Sequence, residues 1–285
     1  MKTKKQTLIV ESSVVNNASQ TTQKIATQNL LDTPVACMSF QKQMQVVHEW
    51  AKARQSKTVC LANVHMLVEA HKKPEFSQVL QNADLITPDG MPLVWMLRKL
   101  ANPQQDRVAG MDVFSHLCKL ASKSGVSIFL VGSRPEVLEK MTARLSKEFP
   151  RLKVAGAESL PFRPMTESED EALIEQINQS GAGLTFVCLG CPKQEAWMEL
   201  HRDKIQSVML GVGAVFEVYA GIKKHAPDFI RNSGMEWAYR LVQEPKRLWS
   251  RYYKTNSAFI YLAAKNLIQH YLESKNSMLE TPVAN

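Results

Sequence analysis

The sequence predicts an α/β protein: a Rossmann-like, mostly parallel sheet with helices on both faces, followed by a helical C-terminal appendage. Three observations carry this. Short apolar runs of strand length alternate with amphipathic helical patterns, as in a parallel sheet covered on both sides. Glycine turns follow several of the apolar runs. Past Gly221 no further strand run occurs and helical patterning alone remains.

Residues 1–29 are rich in Thr, Ser, Gln and Asn, apart from Leu8-Ile9-Val10, and are expected to form a mobile tail. The same stretch lacks the apolar segment of a signal peptide. The α/β domain is expected over 30–233. Its strands are expected at Thr58–Ala62, Leu85–Thr87, Ser127–Val131, Lys153–Ala155, Leu184–Leu189 and Ser207–Gly211. Its helices are expected at Gln41–Ala53, Met91–Leu100, Met111–Ser122, Pro135–Phe149, Glu169–Gln179 and Lys193–Arg202. The appendage, 234–272, reads as two helices, Met235–Tyr253 and Ser257–Leu272, parted at Thr255-Asn256. A polar tail, 273–285, closes the chain.

A chain of 285 residues with 45% hydrophobic residues is long enough for one large or two small domains with a full core. A net charge of +8 favours anionic partners such as nucleotides, phospholipid headgroups or nucleic acid. Five cysteines, an odd number, are expected to be reduced thiols in a cytosol. No apolar run approaches the ~18 residues that a membrane-spanning helix needs.

The candidate chemistry sits at strand ends. Thr87-Pro88-Asp89-Gly90 places an acid at the carboxyl end of a strand, where open α/β sheets form their ligand crevice. Asp-Gly is also a common turn pair, so shaping the chain is an equal reading. Leu189-Gly190-Cys191-Pro192-Lys193-Gln194 and Gly211-Val212-Gly213 repeat the placement with a lysine, an amide and backbone N–H groups. Together these groups suit a phosphate-bearing substrate and a proton to be removed. Asn63 either lines the same crevice or caps the next helix. His65, on that helix's first turn, is read as structural.

Cys188 and Cys191 form a CxxC pair, but no second pair and no histidine pair completes a zinc site, and Leu189-Gly190 is no thioredoxin-type interior. Gly211-Val212-Gly213 holds two of the three glycines of a dinucleotide fingerprint, and its strand comes late in the chain. The helix expected after Gly213 offers N–H groups to a diphosphate. There is no P-loop and no Asp-x-Asp metal clamp. In the appendage, Arg240, Arg247, Arg251 and Lys254 share one helical stripe, with Trp237, Leu241, Leu248 and Tyr252 on the next. That pattern fits a solvated face beside a core face, a helix lying in an anionic membrane surface, or diphosphate recognition by arginine.

Several blocks together resemble the WecG/TagA/CpsF family of bacterial glycosyltransferases. They are Ala62-Asn63-Val64-His65-Met66, Thr87 to Trp95, Arg107-Val108-Ala109-Gly110, Leu189 to Glu195, Gly211-Val212-Gly213 through Ala220-Gly221, and the set Ala226-Pro227, Gly234-Met235-Glu236-Trp237, Tyr239-Arg240-Leu241 and Glu244-Pro245-Lys246-Arg247. The resemblance runs from about Leu31 to Tyr253. It implies transfer of a sugar from a UDP-sugar, such as UDP-N-acetylmannosamine, its uronic acid or UDP-glucose, to a polyprenyl-diphosphate-linked sugar. It also implies inversion, no metal, no cofactor, and attachment to the inner face of the cytoplasmic membrane. By the same resemblance Asp89 is the general base. Asn63, Gly90, Arg107, Lys193, Gln194, Gly211, Gly213 and Glu217 line the substrate site, and Arg240, Arg247 and Arg251 reach its diphosphates. Leu61 stands where many members have threonine, Glu217 where many have aspartate, and Cys191 where many have serine or threonine.

The alternatives are a Rossmann-type NAD(P) oxidoreductase, which the incomplete glycine fingerprint disfavours, and a basic nucleic-acid-binding protein. The concentration of basic residues beside an apolar helical face disfavours nucleic acid. Whether the chain forms a homo-oligomer is left open by the sequence.

Overall fold

The computed structural model describes residues 25–279. The expected tail segments 1–24 and 280–285, and the side chains of Arg247 and Arg251, lie outside the described residues.

A hairpin opens the fold, β1 (Thr27–Leu30) and β2 (Thr33–Ala36), followed by α1 (Phe40–Lys52). The alternating units then run β3 (Lys57–Ala62), α2 (Val64–Lys72), α3 (Pro74–Asn82), β4 (Leu85–Pro88), α4 (Met91–Leu100) and α5 (Gly110–Ser124). They continue with β5 (Ile128–Gly132), α6 (Pro135–Glu148), β6 (Val154–Glu158), α7 (Glu167–Ser180), β7 (Leu184–Cys188), α8 (Lys193–Leu200) and β8 (Val208–Gly211). Four helices end the chain: α9 (Val215–Tyr219), α10 (Asp228–Asn232), α11 (Glu236–Gln243) and α12 (Pro245–Leu279).

Six strands form one parallel sheet in the order β4-β3-β8-β7-β5-β6. Side chains alternate between its faces, as the strand pleat requires. Val59, Leu61, Leu85, Phe186 and Leu210 meet α1, α5, α6 and α9 on one face. Cys60, Ala62, Ile86, Val187 and Met209 meet α2, α3, α4, α7, α8 and α12 on the other. The chain leaves β3 toward the second face and leaves the adjacent β8 toward the first. The C-terminal ends of β3 and β8 are therefore the topological switch point, where open α/β sheets bind ligands.

The expected tail is too long by several residues, because Thr27–Leu30 pairs with Thr33–Ala36. Its two turn residues, Leu31 (φ 49) and Asp32 (φ 65), are both left-handed, as a type I′ hairpin requires. Leu-Asp lacks the glycine or asparagine that marks such turns in a sequence. Leu30 and Val35 are fully buried, and that burial holds the strain.

The appendage breaks elsewhere than expected. Pro245 has no N–H to donate, and the residue before it, Glu244, is pushed out of the helical region (φ −134, ψ 59). Thr255 and Asn256 do not interrupt α12. Thr255 is buried and Asn256 turns toward the cleft described below. The helix also passes residue 272, into the expected polar tail.

Candidate active site

The loops after β3, β4, β7 and β8 meet around a cleft of about 800 Å³. α11 and the stretch of α12 from Leu248 to Leu267 line another wall, because α12 packs along α2 and α4. The appendage is thus part of the cleft.

Asn63 does both things expected of it. Its Oδ1 accepts the Met66 N–H at 3.2 Å, capping α2, and the residue lines the cleft. The N–H groups of Asp89 and Gly90 donate to the Ala62 carbonyl at 2.9 and 3.3 Å, fixing the β4 end against the β3 end. Gly90 has an ordinary φ of −82° and precedes α4, so Asp89-Gly90 is a strand-to-helix junction and not a left-handed reverse turn.

The Asp89 side chain is 24% exposed. Its Oδ1 accepts the Gly110 N–H at 3.3 Å and lies 3.8 Å from an Arg107 Nη. Burial raises its pKa to about 6, offset in part by the Arg107 charge. A carboxyl poised there is ionised at neutral pH yet a stronger proton acceptor than a solvated one, as a general base should be.

Arg107 is engaged by the protein itself. Nε donates to the Asp89 carbonyl at 2.7 Å, one Nη to the Arg231 carbonyl at 3.1 Å, and the other to Glu236. Arg107 lines the cleft as expected of a site residue, and these bonds also make it a bracket joining the β4 end to α10 and α11. Glu236 also receives Arg240, through Nε at 2.9 Å. Arg240 keeps about half its side chain exposed and lines the cleft.

Gln194 is only 4% exposed. Its Oε1 accepts the Gly190 N–H at 3.1 Å, and its amide NH2 donates to buried Glu195 at 2.8 Å. It forms the cleft floor beneath Gly211 and Gly213, with its amide already partnered. A Cβ on Gly211 would approach the Gln194 amide nitrogen to 2.8 Å, so any larger residue there must displace the Gln194 side chain. Lys193 is exposed at the start of α8 and is not among the residues lining the cleft. Glu217 is likewise outside the lining, because it pairs with Lys223 at 2.6 Å.

The helix expected to offer N–H groups after Gly213 is five residues long. The N–H groups of Val212 and Gly213 turn to the Val187 carbonyl, and those of Val215 and Phe216 close on Val212 and Gly213. Few donors are left there for an anion. Leu61 lies 5% exposed in the core below the cleft, so a polar contact from that position is replaced by packing. Burial pushes the Cys188 thiol up to about 12, which keeps it protonated and unreactive, whereas Cys191 lines the cleft. Among the described residues no three His, Cys, Asp or Glu side chains gather into a metal cage.

The apolar stripe expected to face a membrane is divided: Leu248 is 3% exposed and Tyr252 lies edge-to-face against Trp237 at the cleft, while Trp237 itself is 40% exposed and Leu241 is half-buried. The exposed apolar residues of α12 are others, Trp249, Tyr253, Ile260, Tyr261, Ile268, Tyr271 and Leu272. At ~100° per residue they fall within an arc of about 140°. The sequence reading also missed Trp95, Arg231 and Glu236 as cleft residues. Trp95 and Glu236 lie within blocks already marked and Arg231 does not; the partner that Arg231 and Glu236 share, Arg107, comes from a distant segment.

A switch-point cleft with a buried carboxylate and arginines beside it is the candidate site of a doubly wound α/β fold. The family model for the glycosyl transferase WecG/TagA/CpsF family matches residues 28–273. The chain belongs to that family and is a glycosyltransferase of cell-surface polysaccharide synthesis.

Proposed function

We propose that this protein is an inverting, metal-independent glycosyltransferase. It moves a sugar from a UDP-sugar to a polyprenyl-diphosphate-linked sugar at the inner face of the cytoplasmic membrane. The observation that carries this reading is Asp89: a carboxyl at a parallel-strand end, raised to about 6, facing a large cleft beside Arg240.

Asp89 takes the proton of the acceptor hydroxyl as its oxygen attacks the anomeric carbon. The bond to the UDP oxygen breaks on the opposite face, which inverts the centre, and its electron pair leaves with the diphosphate. Arg240 stands where that growing charge needs a fixed cation. Arg107 holds the Asp89 loop in place. Asn63 and Gln194 shape the sugar end of the cleft. The opposite end, between α4 and α12, is lined by Trp95, Met96, Phe259 and Ala263, a surface suited to the lipid part of an acceptor.

Among the described residues no helix is long and apolar enough to cross a membrane. The exposed apolar arc of α12 together with the +8 charge supports peripheral attachment to anionic lipid. The test is a thermal-shift screen of the full chain against a panel of UDP-sugars, followed by transfer to polyprenyl-diphosphate acceptors. One UDP-sugar should both stabilise the protein and be consumed with an inverted product. Binding of nicotinamide dinucleotides with no response to any UDP-sugar would overturn the reading.

A further inference from the structure

Glu236 opens α11 with a carboxylate that is 15% exposed. One oxygen meets Arg107, and the other accepts Arg240 through Nε at 2.9 Å and Nη at 2.5 Å. Arg107 turns its remaining donors to the carbonyls of Asp89 and Arg231. We propose that Glu236 is a positioning residue of the transfer reaction: it aims Arg240 and ties the appendage to the Asp89 strand end through Arg107. The inference rests on the reading of Asp89 as the base and of Arg240 as the cation at the leaving group.

The geometry separates this role from simple docking. The Nη of Arg107 that meets Glu236 is the one 3.8 Å from Asp89, so a single guanidinium faces two carboxylates. Burial raises the Glu236 pKa, but the Arg240 and Arg107 charges outweigh it and hold the carboxyl below its ordinary value. It therefore stays charged throughout the working range of Asp89. The charges facing Asp89 are Arg107 from the loop before α5, and Glu236 and Arg240 from α11, with the Gly110 N–H of α5. Farther out stand the Arg231–Asp112 pair between α10 and α5, and His225. Neutralising Glu236 gives Arg107 to Asp89 alone and removes a repelling charge. Asp89 then becomes a weaker base that ionises at lower pH, while Arg240 loses its anchor.

The experiment compares full-length wild type, Glu236→Gln, Glu236→Asp, Arg240→Gln and Asp89→Asn. It reads steady-state transfer between a UDP-sugar and a polyprenyl-diphosphate acceptor from pH 5 to 9, with melting temperatures alongside. Glu236→Gln should lower kcat by up to roughly 100-fold through misplacement, with donor KM changed much less. Its acid limb should move to lower pH. Glu236→Asp, which keeps the charge, should hold the limb near the wild-type position. Arg240→Gln should also lower kcat but move the limb upward, because that cation favours ionised Asp89. An unchanged kcat and limb in folded Glu236→Gln would overturn the proposal. So would equal kcat losses in the Gln and Asp variants with no movement of the limb, the result of docking alone. Should Glu236→Gln fail to fold, an Arg240→Gln limb that does not rise would overturn it instead. If Asp89→Asn keeps the wild-type limb, the base assignment fails, separately from the role of Glu236.

Discussion

Replacing Asp89 with asparagine should stabilise the fold while disabling the enzyme. The carboxyl titrates at about 6 in the folded chain against an ordinary 3.8, because burial penalises its charged form. The folded state therefore holds this proton more tightly than the unfolded chain does. Wild-type stability is lost as pH rises from the ordinary value toward 6, and the loss is complete above 6. A shift of about two units corresponds to about 3 kcal/mol, reduced to about 1–3 kcal/mol by partial solvent access. Asparagine has nearly the same shape, and its Oδ1 can still accept the Gly110 N–H, so the variant avoids the penalty without losing that contact. For a domain of this size, about 2–4 °C of Tm per kcal/mol gives a rise of about 2–12 °C at pH 8. Urea unfolding of both proteins between pH 4 and 8 reads the effect. The gap should be widest above pH 6 and shrink toward pH 4. No gap at pH 8, or a gap that does not change with pH, would refute the argument.

Transfer activity should survive excess EDTA, since no cluster of metal-ligating side chains stands among the described residues; loss on chelation with recovery on Mg²⁺ or Mn²⁺ would contradict this. Gly211→Ala should lower activity with a loss of about 1–3 kcal/mol in stability, because its Cβ would push the Gln194 amide out of the cleft floor. Unchanged kinetics would show that the position of Gln194 is immaterial. Trp249→Ser with Tyr253→Ser should weaken flotation with anionic liposomes while leaving Tm nearly unchanged, as both side chains are more than half exposed on α12. Equal flotation would place the membrane contact elsewhere.

Five of the six strands of the main sheet lie within one residue of where apolar runs and turn residues put them, and β6 runs three residues past its expected end, because buried parallel strands leave a local mark. The acid at Asp89 was legible for the same reason, since the strand end that carries it is a local feature. The β1–β2 hairpin was not, because its left-handed turn is made by Leu31 and Asp32 under tertiary constraint. α3 escaped notice because its buried side is only Phe76 and Leu80. The bracket that Arg107 forms was not legible, because the residues that take its donors, Arg231 and Glu236, lie more than a hundred positions away. The inward turn of Leu248 and Tyr252 had the same cause. Helical periodicity shows which residues share a stripe, while only packing against α2 and α4 decides which stripe is covered.

The most direct test of the account is turnover by purified Asp89→Asn on the UDP-sugar and polyprenyl-diphosphate acceptor that the wild type uses. The account predicts a folded variant that still binds UDP and transfers sugar roughly 10²–10⁴-fold more slowly, the range for a lost general base. Near-normal turnover by the folded variant would contradict it.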